Sequence, residues 1–137
     1  MPHDRPLGPA SVEGQSHPSL GALLHDVARL RRAAFDVAAK PLGITRSQFR
    51  LLSYLAAAPG KAQNQTAIAH GVAIGKVTVG GLVDRLESAG FVQRMASPDD
   101  RRVKLITLTF RGRRALQNAR RLQPQLDACI LRGLDAR

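Results

Sequence analysis

The sequence predicts a mainly α-helical protein with one small β-hairpin, and three observations predict it. Apolar residues recur at steps of three and four over most of the chain, the spacing of one face of a helix. Between about residues 91 and 108 the pattern changes to β-prone runs around the turn-forming Ser97-Pro98-Asp99-Asp100. The 44% apolar content comes chiefly from Ala, Leu and Val, with no Trp and one Tyr, a composition suited to packed helices. A length of 137 residues suits a single folded unit with a modest core.

Taken in order, residues 1–18 are rich in Pro, Gly, Ser and His without periodicity and read as a disordered tail. Ser19 is placed to cap a first helix, residues 19–43, which Pro41 and Gly43 stop. Its stripe of Leu20, Leu23, Leu24, Val27, Leu30, Ala34, Val37 and Ala38 is longer than so small a core needs, so it is expected to face another subunit. Thr45 and Gln48 form a capping box for a helix with Phe49, Leu51, Leu52 and Leu55 inward, ending at Pro59-Gly60. Asn64 caps a short helix to about His70, with Ile68 and Ala69 inward, and Gly71–Gly75 makes a turn. The next helix runs from Lys76 to about Ala89, with Val79, Leu82, Val83 and Leu86 on its buried side and Gly90 at its stop. Phe91-Val92 and Val103–Leu108 form a two-stranded hairpin with a basic tip, closing a unit of residues 44–108. Thr109 then caps a last helix, from Phe110 to about Leu122, which Pro124 kinks or restarts.

Lys and Arg number 21 against 10 Asp and Glu, a net charge of +11 at pH 7 that attracts phosphate polyanions or anionic lipid. No apolar run approaches the ~20 residues of a membrane span, which favours nucleic acid. Met1–Gln15 lacks the apolar core of a secretion signal, and the single Cys129 has no internal disulfide partner, so a reducing cytoplasm is expected. No Cys/His cluster has zinc spacing, no Ser/His/Asp or Cys/His set is present, and neither metal, cofactor nor catalysis is expected. From Arg94 to Arg121, nine Lys or Arg stand against Asp99 and Asp100 alone.

Two short helices across a tight turn, followed by a basic hairpin, make a winged helix-turn-helix. The second helix is narrow enough for the major groove of duplex DNA, and its start carries Lys76 and Thr78 beside unpaired N–H groups that favour phosphate. The hairpin tip suits the minor groove, whose negative potential draws Arg. Several residues carry two readings. Arg85 reaches phosphate or pairs with Asp84 or Glu87, and Gln65 bonds phosphate or stays in solvent. Gly80 and Gly81, each costing about 1 kcal/mol against Ala within a helix, reflect close approach to DNA or simple tolerance. Gly71-x-x-x-Gly75-Lys76 is one residue short of a phosphate loop and has Val77 where the hydroxyl belongs. His25 and Asp26 read as a surface or core pair rather than an effector site, and Cys129 as a quiet buried or interface thiol. A basic RNA-binding protein is the rival from another class; it would show no preference for a palindrome.

Thr45-x-x-Gln48-x-x-Leu51-Leu52-x-x-Leu55 and Asn64-Gln65-x-x-Ile68-Ala69 are followed by the run from Val79 through Asp84-Arg85-Leu86-Glu87 and Gly90 to Arg94. Ser97-Pro-Asp-Asp100-Arg-Arg102 and Leu108-Thr109-x-x-Gly112 complete the set. On these motifs the chain resembles the multiple antibiotic resistance regulator (MarR) family of bacteria. The resemblance implies a homodimer whose N- and C-terminal helices interlock, here through Leu20, Leu23, Leu24, Val27, Leu122, Leu126 and Ile130. It implies two DNA-reading lobes spaced for a pseudo-palindromic operator, with Arg102 in the minor groove and Asp100 holding it. Gln65, Lys76, Thr78, Val79, Arg85, Arg94 and Lys104 complete the DNA-contacting set expected. It further implies a repressor released by a small aromatic or anionic effector. Position 81, often polar or basic in related sequences, is Gly here, and Gly133–Arg137 reads as the lead-in to a further helix, so residues 109–137 are expected to form a shortened dimerisation helix.

Overall fold

Local capping chemistry sets where the helices begin. In the computed structural model, which describes residues 18–134, the Ala22 N–H donates to the Ser19 hydroxyl to open α1 (Leu20–Ala39). The expected N-terminal tail, apart from its last residue, and the final Asp135–Arg137 lie outside the described residues. A 3-10 turn, Lys40–Leu42, closes α1, with Gly43 taking the left-handed φ of +68° that a glycine accepts without strain. Both halves of the capping box at Thr45 and Gln48 are made at the start of α2 (Arg46–Ala57). The Asn64 carboxamide oxygen accepts from the Ala67 N–H at 2.8 Å to cap α3 (Gln65–Val72). After Ala73 and Ile74 the chain enters α4 (Lys76–Ser88).

The sheet departs from the expected hairpin. β2 (Val92–Ala96) and β3 (Lys104–Leu108) are antiparallel as expected, but a third strand, β1 (Ala62–Asn64), pairs with the other edge of β3. Gln63 lies opposite Ile106 in that pairing. Three residues of Ala-Gln-Asn carry no β pattern of their own; β3 recruits them by offering a free edge. The second departure is α5 (Phe110–Leu134), one helix through Pro124 where a kink or restart was expected. The missing Pro124 N–H leaves the carbonyl of Arg120, an exposed residue one turn back, without its usual helical donor.

The core forms where α2, α3, α4 and the sheet meet, from Leu51, Leu52, Leu55, Ile68, Val79, Val83, Leu86 and Ile106, with Leu116 and Ala119 of α5 closing one side. Two glycines make the packing possible. A Cβ at Gly112 would lie 1.9 Å from the Phe91 carbonyl oxygen, and one at Gly71 would lie 2.1 Å from the Tyr54 ring. Thr109 seats α5: its hydroxyl donates to the Gly90 carbonyl at 2.6 Å and accepts from the Gly112 N–H at 3.0 Å.

The stripe on α1 is not absorbed by this core. Leu20 is 72% exposed and Leu24 62%, and Leu23, Val27, Leu30 and Val37 are exposed with them. The buried side of α1 is instead Phe35 and Ala39, with the Phe35 ring 5.2 Å from that of Phe49 on α2. On α5, Leu122, Leu126 and Ile130 are half-buried. Cys129 is exposed in the protomer, so the buried alternative expected for it is corrected. Helices α1 and α5 are joined by Arg31, whose guanidinium donates to Asp127 at 2.7 Å and to Gln123 at 3.2 Å. The hydrogen bond to Asp127, helped by its charge, raises the Arg31 pKa and holds the Asp127 carboxyl below its ordinary value.

Candidate nucleic-acid interface

The start of α4 is built without a side-chain cap. Gly75 stands at the N-cap, and the first helical bond is from the Val79 N–H to the Gly75 carbonyl at 3.0 Å. The N–H groups of Lys76, Val77 and Thr78 therefore have no helical acceptor, and all three side chains are exposed. Lys76 and Thr78 stand where the sequence put them. Val79 does not: it is fully buried in the core, one of the inward positions with Leu82, Val83 and Leu86, and it cannot reach a nucleic acid. The helical period decides this, because one side chain cannot serve both faces.

Gln65 resolves one of the glycines. Its amide donates to the Lys76 carbonyl at 3.0 Å, bracing the start of α4 from α3, and a Cβ on Gly80 would meet that amide nitrogen at 2.9 Å. Gly80 is thus room for Gln65. Gly81 faces nearly open space, with only the Arg85 guanidinium 3.6 Å from where a Cβ would stand.

Arg85 forms no ion pair among the described residues; its Nε donates to the Gly81 carbonyl at 3.1 Å and its charge stays available. Its two candidate partners are taken by Arg94, which pairs with Asp84 at 2.6 Å and with Glu87. This corrects the expectation for Arg94. The side chain is only 25% exposed and ties β2 to α4, so its guanidinium faces two carboxylates rather than phosphate. Burial works against the charge, but hydrogen bonds with Asp84 and Glu87 outweigh it and raise the Arg94 pKa.

At the wing tip, the Ser97 N–H donates to the Val103 carbonyl and the Val103 N–H to the Asp100 carbonyl, each at 2.9 Å, closing the turn. One Asp100 carboxylate oxygen accepts from the Arg102 N–H at 3.0 Å and from its Nε at 3.2 Å. The backbone bond first, and then the guanidinium, hold the Asp100 carboxyl below its ordinary value. Arg102 is thereby aimed while remaining 92% exposed. Arg101 and Lys104 are exposed beside it. Lys76 and Arg85 on α4, with Arg101, Arg102 and Lys104 on the wing, thus form a cationic set on two elements that Arg94 holds together.

A second feature escaped the sequence reading. Between α1, α2 and α5 lies a cleft of about 340 Å³ lined by Arg31, Arg32, Phe35, Arg46, Phe49 and Arg50, among others. His25 and Asp26 take no part in it; Asp26 pairs with Arg29 at the surface. The signal was present, because four Arg and two Phe share the facing sides of two helices, but only the packing of α1 on α2 brings them together. Among the described residues no metal-ligating cluster occurs, and no single helix is long and apolar enough to cross a membrane.

A helix start stripped of its cap and an Arg-tipped hairpin clamped beside it define a winged helix-turn-helix protein of the nucleic-acid-binding kind. The family model described as MarR family matches residues 44–104. The HTH-type transcriptional repressor Rv2887 of Mycobacterium tuberculosis is 32% identical over 117 residues, spanning 85% of this chain and 83% of that protein. The chain belongs to the MarR family of transcription regulators. Among solved structures, the repressor CouR bound to a 23-mer DNA duplex is 31% identical with a TM-score of 0.73, over 86% of this chain and 82% of that one. The reduced form of MarR from E. coli is 26% identical with a TM-score of 0.77, over 89% of each chain. Rv2887 in complex with p-aminosalicylic acid is 31% identical with a TM-score of 0.67, over 87% of this chain and 88% of that one.

Proposed function

We propose that this regulator binds a pseudo-palindromic operator as a homodimer and represses transcription until a small aromatic acid releases it. On this reading α4 enters the major groove, with Thr78 toward base edges and Lys76, Arg85 and the free N–H groups toward phosphates. Arg102 enters the adjacent minor groove, with Lys104 on the flanking backbone. The observation that carries the reading is the Arg94 clamp, which fixes the spacing between the helix start and the wing tip before DNA arrives. The exposed stripe of Leu20, Leu23, Leu24 and Val27, with Leu122, Leu126 and Ile130, supplies the apolar surface for a second copy.

For the effector, the cleft offers guanidinium groups for a carboxylate beside the Phe35 and Phe49 rings for an aromatic plane, and Rv2887 holds such a compound. Acting on the chromosome places the protein in the bacterial cytoplasm, at the nucleoid, as a binding protein and not an enzyme. The test is binding to a duplex selected from the source genome. Arg102→Ala is expected to weaken it by roughly 1–3 kcal/mol, the worth of one groove contact. Wild-type affinity is expected to fall by orders of magnitude between about 50 and 200 mM salt. Unchanged affinity in the variant sinks the wing assignment, and a clean monomer on micromolar sedimentation sinks the dimer.

A further inference from the structure

We infer that Val77 reads the C5-methyl group of a thymine in the operator, and that Gly81 is the notch that lets it come close enough; this rests on the placement of α4 in the major groove.

Val77 is 91% exposed, more than any other large apolar side chain among the described residues. An isolated exposed valine ordinarily needs no explanation. This one stands in the first turn of α4, between Lys76 and Thr78, away from the apolar stripe of α1. It returns nothing to the fold there. It packs on no core residue, its branched Cβ is a poor helix former, and it offers neither a cap nor the negative charge that a helix start favours.

Four residues on, Gly81 lies on the same helical face. Gly80 needs to be small for Gln65, but Gly81 has no such neighbour, and only the movable Arg85 guanidinium lies near it. The outward face of α4 is therefore a branched apolar knob followed by a gap. With no side chain at Gly81, and with the Arg85 guanidinium that lies over it free to swing toward phosphate, the helix backbone can settle toward the groove floor, which brings Val77 to van der Waals range of base edges.

Groove chemistry then selects the partner. The major-groove edges of guanine, cytosine and adenine present donors and acceptors, and an isopropyl group against them leaves those polar atoms unpaired and dry. Thymine alone presents a methyl group, and burying methyl against methyl is favourable. The specificity assigned to Val77 is thus for thymine over every other base.

Deoxyuridine tests this because it pairs as thymidine does and lacks only the methyl. In a duplex selected from a random pool by the full chain, each thymine is replaced singly and affinity is read by fluorescence anisotropy. At one position per half-site the wild type is expected to lose roughly fourfold, about the worth of one buried methyl-sized group. Val77→Ala is expected to bind thymine and uracil alike there, with its thermal unfolding unchanged or slightly raised, because the site is exposed and alanine is the better helix former. A uracil penalty that persists in Val77→Ala, or no uracil-sensitive position, overturns the inference. Lys76→Ala keeps the two layers apart. If it weakens binding to every duplex while no thymine is methyl-sensitive, only the Val77 assignment falls. If Lys76→Ala and Val77→Ala both leave binding intact, α4 is not in the groove and both readings fall.

Discussion

Replacing Arg94 with methionine asks whether the wing is held to the reading helix by charge. Methionine keeps most of the stem and removes the guanidinium that bonds Asp84 and Glu87. The side chain of Arg94 is 25% exposed, but Asp84 is 69% and Glu87 40% exposed, so solvent screens both bonds. Discounted in that way, each contributes about 0.5–1 kcal/mol, and the substitution is expected to cost about 1–2 kcal/mol of stability. The cost in binding has another origin. A wing released from α4 must be ordered again when DNA binds, at the expense of a few side-chain and backbone rotations, and about tenfold in affinity is expected to go.

Urea unfolding and anisotropy over a range of salt separate the possible roles. A strut that touches no phosphate leaves the slope of log affinity against log salt unchanged, whereas a phosphate contact lowers it by about 1. Arg94→Met with reduced stability, weaker binding and an unaltered slope supports the clamp. A slope lowered by a full phosphate, or wild-type stability, refutes it. Glu87→Gln in the same background adds a coupling measurement: once Arg94 is gone, the second substitution is expected to cost little.

Three other outcomes follow from the geometry. Asp100→Ala leaves Arg102 unbraced and is expected to weaken operator binding several-fold without a large change in stability. In the wild type the lowered Asp100 pKa keeps this brace complete above the ordinary carboxylate range and loses it only as pH falls through the lowered folded value, so a pH titration of affinity is expected to show no Asp100-dependent step near neutrality. Gly112→Ala places a methyl 1.9 Å from the Phe91 carbonyl oxygen, and backbone cannot yield as a side chain does, so a loss of about 3 kcal/mol or failure to fold is expected by urea unfolding. Gly81→Ala meets only the Arg85 guanidinium and gains helix propensity, so it is expected to raise stability by about 0.5–1 kcal/mol while weakening operator binding.

Features set by neighbouring residues were legible from the sequence, and those set by competition between distant residues were not. The caps at Ser19, Thr45, Asn64 and Thr109 involve atoms three residues apart, and all four are present. The brace of Asp100 on Arg102 is as local. Arg94 reads from the sequence as a DNA contact, and Asp84 and Glu87 as partners open to Arg85; only the packing of β2 against α4 gives both carboxylates to Arg94 instead. Val79 stands in the sequence both on the buried side of its helix and among the DNA contacts; the helical period turns it inward, and its complete burial agrees with the period. Strand β1 was invisible because its pairing is dictated by the free edge of β3, more than 40 residues away, and not by its own side chains. Gly80 could be explained only once Gln65 was seen to reach across from α3.

The bonds that join successive elements constrain how an effector can act. Arg50 of α2 donates to the Val72 carbonyl at the end of α3 at 2.6 Å, and Gln65 of α3 donates to the Lys76 carbonyl at the start of α4. Arg94 fastens α4 to β2, and Thr109 fastens the turn after α4 to α5. With the same elements sharing one core, the reading lobe is expected to move as one body rather than change its own shape. Release of DNA on the proposed reading therefore comes from the lobe, together with the start of α5 that Thr109, Leu116 and Ala119 hold to it, shifting against α1 and the distal part of α5 that Arg31 joins, which changes the separation of two copies of α4. The cleft lies at that joint, and Arg31 both lines it and supplies the bonds to Asp127 and Gln123 that tie the base together. A carboxylate entering the cleft competes with Asp127 for Arg31. The energy needed is modest, since a tenfold loss of operator affinity requires about 1.4 kcal/mol of preference for the displaced arrangement. Exchange of ion-pair partners around one half-exposed arginine is of that order, so no larger rearrangement of the fold is required.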